Sequence, residues 1–130
     1  MIKKIFFFLL FTLLLQTVNA QREMKLLVKD WKFTQSDTQA AQRATFNDGG
    51  WRILDIPHDW SIEGDFSKEH PSTFNQGALP TGIGWYRKHF YLPADAGNQH
   101  VQLNFEGVFQ RADVWINGHL LGRHNNGYVS

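Results

Sequence analysis

The sequence predicts an all-β domain, a sandwich or a barrel, from about residue 29 onward. Short runs rich in β-branched and aromatic residues alternate there with turn sequences, which is the pattern of such folds. No segment has a long helical hydrophobic period. Residues 21–130 are enough to bury a core, so we expect a single domain in that range.

Residues 1–20 are predicted to be a signal peptide rather than part of the fold. Lys3 and Lys4 precede an almost wholly apolar run at 5–15, and small residues up to Ala20 provide a cleavage site. An uncleaved membrane anchor is the alternative, but the run is shorter than the roughly 20 residues that a spanning helix needs. We therefore expect a bacterial periplasmic or secreted protein with no membrane contact after cleavage.

Charge and cysteine content exclude several classes of function. The formal net charge is +1 for the whole chain, and it becomes −1 when Lys3 and Lys4 leave with the signal peptide. A nearly neutral chain without a basic run gives no indication of a nucleic-acid partner. Because the chain has no cysteine, it forms no disulfide and carries no lipid on a cysteine.

The first predicted strand covers 29–34. Its two-residue period places Trp31 and Phe33 on one face. The segment 37–44 follows, and it is either a short helix with Asp37 as its N-cap or a loop, since it is polar and rich in glutamine.

A turn at 47–50, with two glycines, leads into a second predicted strand at 51–56. Pro57 ends that strand because it has no N–H to donate to a ladder. The next segment, 61–81, is a long loop with two glycines and two prolines. A loop of that length in a compact domain is usually functional.

A third strand is predicted at 85–92, where Arg87 and Tyr86 point to opposite faces. A buried guanidinium needs an anionic partner, and we expect a carboxylate on a neighbouring strand, either Glu106 or Asp113.

The last predicted unit is antiparallel and has three strands, at 101–105, 112–116 and 119–123. In the first two, apolar and polar residues alternate, as in strands buried on one side. Asn117-Gly118 joins the second strand to the third, because a type I′ turn needs positive φ at both central residues.

Seven short motifs occur in order along these elements. They are Trp31-Lys-Phe33, Trp51 with Ile56-Pro-His-Asp-Trp60, Leu79-Pro-Thr-Gly82, Gly84-Trp-Tyr-Arg87, Phe105-Glu-Gly-Val108, Val114-Trp-Ile-Asn-Gly118, and Gly122-Arg-His124 with Gly127-Tyr128. Together they resemble the N-terminal sugar-binding domain of glycoside hydrolase family 2, the family of β-galactosidases, β-glucuronidases and β-mannosidases. The form at 57–64, Pro-His-Asp-Trp-Ser-Ile-Glu-Gly, is most similar to the β-galactosidase branch.

The resemblance implies a jelly-roll (galactose-binding-like) β-sandwich over 21–130, followed by an immunoglobulin-like domain and a (β/α)8 barrel. We expect the sandwich to be incomplete at its C-terminal end, because 124–130 stops where another strand begins. The implied protein is an exported retaining glycosidase that hydrolyses terminal β-galactosides. The alternatives are a β-glucuronidase or β-mannosidase of the same family, a stand-alone carbohydrate-binding module, and a scaffold domain without sugar contact.

No catalytic residue is predicted within the chain. In the family that it resembles, two glutamates on the barrel perform the reaction, with their carboxyl groups about 5–5.5 Å apart for retention. Glu63 and Asp65 are the nearby acidic pair in the long loop, but they merely flank Gly64 and are not evidence of such a dyad. The chain alone is therefore expected to be inactive.

His58, Asp59 and Trp60 are the candidate substrate-binding residues. Asp59 would accept bonds from sugar hydroxyls, and Trp60 would offer an apolar face to a pyranose ring. The structural alternative is that Asp59 binds backbone N–H groups of the following loop while Trp60 closes the edge of the sandwich.

We predict no metal site and no cofactor. The six histidines lack the spacing of metal ligands, and His119 and His124 lie five residues apart, which puts them on opposite faces of a regular strand. The partners implied by the resemblance are a β-galactoside or related glycan and the downstream domains of the same chain, with a homo-oligomer as a further expectation.

Overall fold

The computed structural model describes residues 22–72 and 77–127. The predicted signal peptide, 1–20, lies outside the described residues, and so does Tyr128. Two antiparallel sheets are formed, one of three strands in the order β2-β1-β3 and one hairpin, β4-β5. The strands are β1 (Trp31–Thr34), β2 (Arg52–Leu54), β3 (Trp85–Arg87), β4 (Ala112–Ile116) and β5 (His119–His124).

The central strand of the first sheet is β1, and its pairing confirms the predicted alternation of faces. Phe33 lies opposite Arg52 on one side and Tyr86 on the other, so these three side chains share a face. Lys32 lies opposite Arg87 and belongs to the other face. Phe33 is 5% exposed and forms the core of this sheet.

The three strands of this sheet are shorter than predicted. Asp30 has a φ of +54°, which turns the chain out of the extended conformation before β1 begins. The ladder between β1 and β3 ends at the pair of Lys32 and Arg87, one residue from the start of β1. Beyond it, the Lys88 ammonium binds the carbonyl of Lys29 at 2.6 Å instead of continuing a strand.

The hairpin is confirmed where it was predicted. Asn117 and Gly118 have φ of +51° and +88°, as a type I′ turn requires. Val114 pairs with Gly122 and Trp115 with Leu120, so Leu121 is the extra residue of a bulge in β5.

Two expectations for the irregular segments are resolved by the structure. The predicted strand at 101–105 is wrong. This segment has no regular structure, no described strand pairs with it, and Val101 is exposed. The last unit therefore has two strands rather than three.

The segment 37–44 is a series of turns, not a helix, because Ala40 has a φ of +62°.

One aromatic stack joins the two sheets. Trp85 on β3 and Trp115 on β4 have their ring centroids 5.2 Å apart at an interplanar angle of 30°. The turn at Gly118 approaches the backbone of Gln42, whose carbonyl oxygen would lie 3.7 Å from an added Cβ. Within 22–72 and 77–127, no helix has the length and apolar character to cross a membrane.

Candidate functional site

His58 lies on the face of the first sheet that carries Phe33. Its Nδ1 is 2.7 Å from the Tyr86 hydroxyl, and its Nε2 is 3.0 Å from Glu63 Oε1. The imidazole meets the Phe33 ring edge-on, with centroids 5.0 Å apart. Arg52 Nη2 completes the group by donating to both oxygens of Glu63, at 2.7 and 2.9 Å.

The surroundings of this cluster fix the protonation of Tyr86 and Glu63. Burial, and then the charges of Asp59 and Glu63, raise the pKa of Tyr86 to about 12, so its hydroxyl keeps its proton. Hydrogen bonds from Arg52 and then His58 lower the pKa of Glu63, so its carboxylate stays ionised and accepts.

Asp59 has the contacts of the structural alternative. Its Oδ1 accepts from the backbone N–H of Ser61 at 3.0 Å and from the Ser61 hydroxyl at 2.6 Å. Asp59 thus caps the 3₁₀ turn Trp60–Glu63, while its residue as a whole remains exposed. The sugar contact of Asp59 stays a prediction.

Trp60 packs against the start of β3. A Cβ added at Gly84 would lie 2.9 Å from Trp60 Nε1 and 3.1 Å from the Phe33 ring, so only glycine fits under this indole. Trp60 is half-buried. Its indole packs on the sheet, and part of the residue remains accessible to solvent.

The long loop folds back on itself across 61–72 and 77–81. Ser67 N donates to the carbonyl of Ala78 at 3.0 Å, and the Ser72 hydroxyl donates to the carbonyl of Leu79 at 2.6 Å. Phe66, on the outside of the loop, is 76% exposed. The loop therefore exposes an aromatic ring to solvent.

Sequence reasoning missed a second polar cluster, on the opposite face of the sheet, around Asp48. This carboxylate is 8% exposed and contacts Lys32 at 2.6 Å, His89 at 2.8 Å and Arg87 Nε at 2.9 Å. Burial alone would raise the pKa of Asp48, but the hydrogen bonds and charges of Lys32 and His89 outweigh it and lower the pKa to about 2.

The predicted partner of Arg87 is wrong. Its guanidinium pairs with Asp48, not with Glu106 or Asp113, and Asp113 instead pairs with Arg123 across the hairpin at 2.7 Å.

Arg87 also fixes the turns that follow β1. It donates to the carbonyls of Ala41, Arg43 and Ala44 at 2.7, 3.0 and 3.1 Å. The planar guanidinium has five N–H donors, which allows one side chain to bind a carboxylate and three carbonyl groups.

Neither cluster holds a catalytic or metal-binding constellation. Glu63 is engaged by Arg52 and His58 rather than facing Asp65. Across the part of the chain that the structure describes, no group of three histidine or carboxylate side chains is placed to hold a metal ion.

Comparison with known proteins agrees with the fold. Residues 78–130 match the family model described as the glycosyl hydrolase 2 galactose-binding domain-like domain. A crystal structure of a β-glycosidase from Bacteroides vulgatus superposes with a TM-score of 0.77 at 47% identity, over 82% of this chain and 14% of that one. The fold is thus the galactose-binding-like jelly-roll sandwich found at the N-terminus of such enzymes.

Curated relatives point to the same class. The chain is 48% identical over 110 residues to the β-galactosidase BoGH2A of Bacteroides ovatus, which covers 84% of this chain and 13% of the relative. It is 35% identical over 112 residues to a putative β-glucuronidase of Formosa agariphila, covering 86% of this chain and 11% of the relative. The chain thus spans only about an eighth of the length of these relatives. It belongs to glycoside hydrolase family 2, as a galactose-binding-like N-terminal domain.

Proposed function

We propose that the protein that carries this chain is an exported, retaining glycosidase that hydrolyses terminal β-galactosides. The observation that carries this proposal is the 48% identity, over 110 residues, to a β-galactosidase of the same family. The catalytic glutamates lie in a downstream barrel, and export rests on the signal-peptide pattern at 1–20.

The role proposed for this domain is to shape one side of the sugar pocket and to stabilise the assembly with the downstream domains. The turn with His58, Asp59 and Trp60 is the part proposed to contact the sugar. Two observations support this proposal. The turn is held on the sheet, since His58 is bonded to Tyr86 and Trp60 packs on Gly84. Asp59 in the same turn is exposed. A carboxylate next to an aromatic face suits a pyranose ring.

A β-glucuronidase is the second candidate, because the putative β-glucuronidase of Formosa agariphila is also similar over most of the chain. The full-length protein separates the two when its kcat/KM is measured on aryl β-galactoside, β-glucuronide and β-mannoside. We expect the galactoside to be preferred and its first product to keep the β configuration, as followed by proton NMR. A preference for the glucuronide would favour the second candidate, and hydrolysis of none would refute the glycosidase proposal.

The sugar contact of Asp59 is tested by two substitutions in the full-length protein. Asp59→Ala removes both the cap and the proposed sugar contact, whereas Asp59→Ser keeps a capping oxygen on a side chain too short to reach the sugar. We expect both to lower kcat/KM on an aryl β-galactoside by about tenfold or more, the loss of one charge-assisted hydrogen bond. Wild-type activity for Asp59→Ser would show that only the cap matters.

A further inference from the structure

A continuous polar chain crosses the central strand of the first sheet. It runs from Tyr86 on β3 through His58 and Glu63 to Arg52 on β2, with contacts of 2.7, 3.0 and 2.7 Å. Phe33 lies beneath it, in contact with the Tyr86 ring at 4.7 Å and with the Arg52 guanidinium at 5.3 Å. The chain therefore joins the two outer strands over the core residue of the middle one.

This polar chain holds the segment 58–64 at both of its ends. His58 is bonded to β3 and Glu63 to β2. Between them, Trp60 rests on Gly84, where an added Cβ would come within 2.9 Å of the indole nitrogen. The turn is thus fixed to both outer strands, and the segment that carries the proposed sugar-binding residues has its position set by side chains outside it.

The two ring nitrogens of His58 have different partners. Nδ1 lies 2.7 Å from the Tyr86 hydroxyl, which keeps its proton and can donate or accept there. Nε2 lies 3.0 Å from Glu63 Oε1 and 3.1 Å from Arg52 Nη2. The ring has one defined orientation, since a flipped imidazole would lose both bonds.

We propose that Tyr86 and Glu63 are positioning residues, which act through His58 to hold the 58–64 turn in the geometry that binds the sugar. This inference rests on the proposed function. It goes beyond that function because it assigns a role to a tyrosine hydroxyl and a glutamate that do not touch the sugar. Phenylalanine in place of Tyr86 would keep the ring packed above Phe33 and would remove only the hydroxyl group. The contribution of the network can therefore be separated from the packing of the ring.

The test uses the full-length protein with the variants Tyr86→Phe and Glu63→Gln. Tyr91→Phe and Glu69→Gln are matched controls, which make the same chemical changes at exposed positions outside the network. We expect KM for an aryl β-galactoside to rise about tenfold in the two network variants while kcat stays within about twofold, because uniform binding is lost. Amide exchange of 58–64 should become about fivefold faster, the effect of one lost hydrogen bond.

Other outcomes would overturn the inference. If both network variants match their controls in KM and in exchange, the turn does not depend on this network. If exchange accelerates throughout β1, β2 and β3 while KM is unchanged, the network serves only the core. Glu63→Gln keeps the test informative if Tyr86→Phe folds poorly, since Glu63 is on the surface. Failure of the proposed function would appear separately, as a wild-type protein without glycosidase activity whose 58–64 exchange still responds to the variants.

Discussion

Replacing Asp48 by asparagine removes one charge from the most concentrated ionic cluster among the described residues. The carboxylate is 8% exposed and contacts Lys32, Arg87 and His89 within 2.9 Å. Asparagine keeps the shape of the side chain but offers a neutral oxygen to the cations. Arg87 is itself largely buried, so it would lose its counter-charge where water cannot replace it.

The magnitude follows from the pKa of Asp48, which falls from 3.8 to about 2 on folding. A shift of that size corresponds to about 2 kcal/mol at neutral pH, and screening at the exposed His89 reduces the expected loss to about 1–2 kcal/mol. Because the folded pKa is depressed, this stability is present above pH 4 and is lost as pH falls through about 2. By pH 3 about half of it remains.

Hydrogen exchange measures this loss locally, without requiring that the full-length protein unfold in a two-state transition. We expect Asp48→Asn to accelerate exchange in β1 and β3 at pH 7, and to do so by a smaller factor at pH 3. Asp37→Asn, at an exposed position, is the control. An effect of equal size at both pH values would refute the electrostatic reasoning, and no effect at pH 7 would show that the cluster contributes no net stability.

Substitutions at three further positions test other features, each by hydrogen exchange. Arg87→Lys should destabilise the turns at 41–44 by about 1–3 kcal/mol, because an ammonium has three donors for four acceptors, the Asp48 carboxylate and three carbonyls; unchanged exchange there would contradict this role. Asn117→Ala should weaken β5 by about 1 kcal/mol while Asn117→Gly should not, since φ is +51°; equal effects would argue against the type I′ turn. Gly84→Ala should cost about 1–3 kcal/mol in β3 by displacing Trp60, and a neutral result would mean that the indole can move away.

Local patterns were enough to predict the all-β class, the alternation of faces and the hairpin. The two-residue period places Phe33 with its neighbours, and Asn117-Gly118 determines its turn through backbone φ alone. These features depend on residues close together in the chain. The strand predicted at 101–105 has the same alternating pattern, yet no described strand pairs with it. A two-residue period predicts which face of a segment is apolar, but the segment becomes a strand of a sheet only where another strand pairs with it.

Contacts between distant residues could not be predicted. Arg87 was expected to pair with Glu106 or Asp113, but its partner Asp48 lies in a turn that sequence reasoning treated only as a turn. Asp113 lay on a predicted strand and Glu106 directly after one, whereas Asp48 lay in a predicted turn and was not considered. The direction of a loop is decided by tertiary packing, which a single sequence does not display.

The sequence indicated a candidate site but not the contacts that support it. The motif at 57–64 drew attention to His58, and the structural alternative for Asp59 correctly named the kind of bond that it makes. The link from His58 to Tyr86 spans 28 residues and joins different elements. A tyrosine in the strand facing Phe33 was visible in the sequence, but nothing there indicated that its hydroxyl holds a histidine.

Hydrogen exchange of the full-length protein, with and without saturating galactose, tests most directly whether this domain contributes to the sugar pocket. We predict that galactose slows exchange in the 58–64 segment and leaves the hairpin at 112–124 unchanged. Protection confined to segments downstream of residue 130, with 58–64 exchanging at the same rate in both states, would contradict a role for this domain in sugar binding.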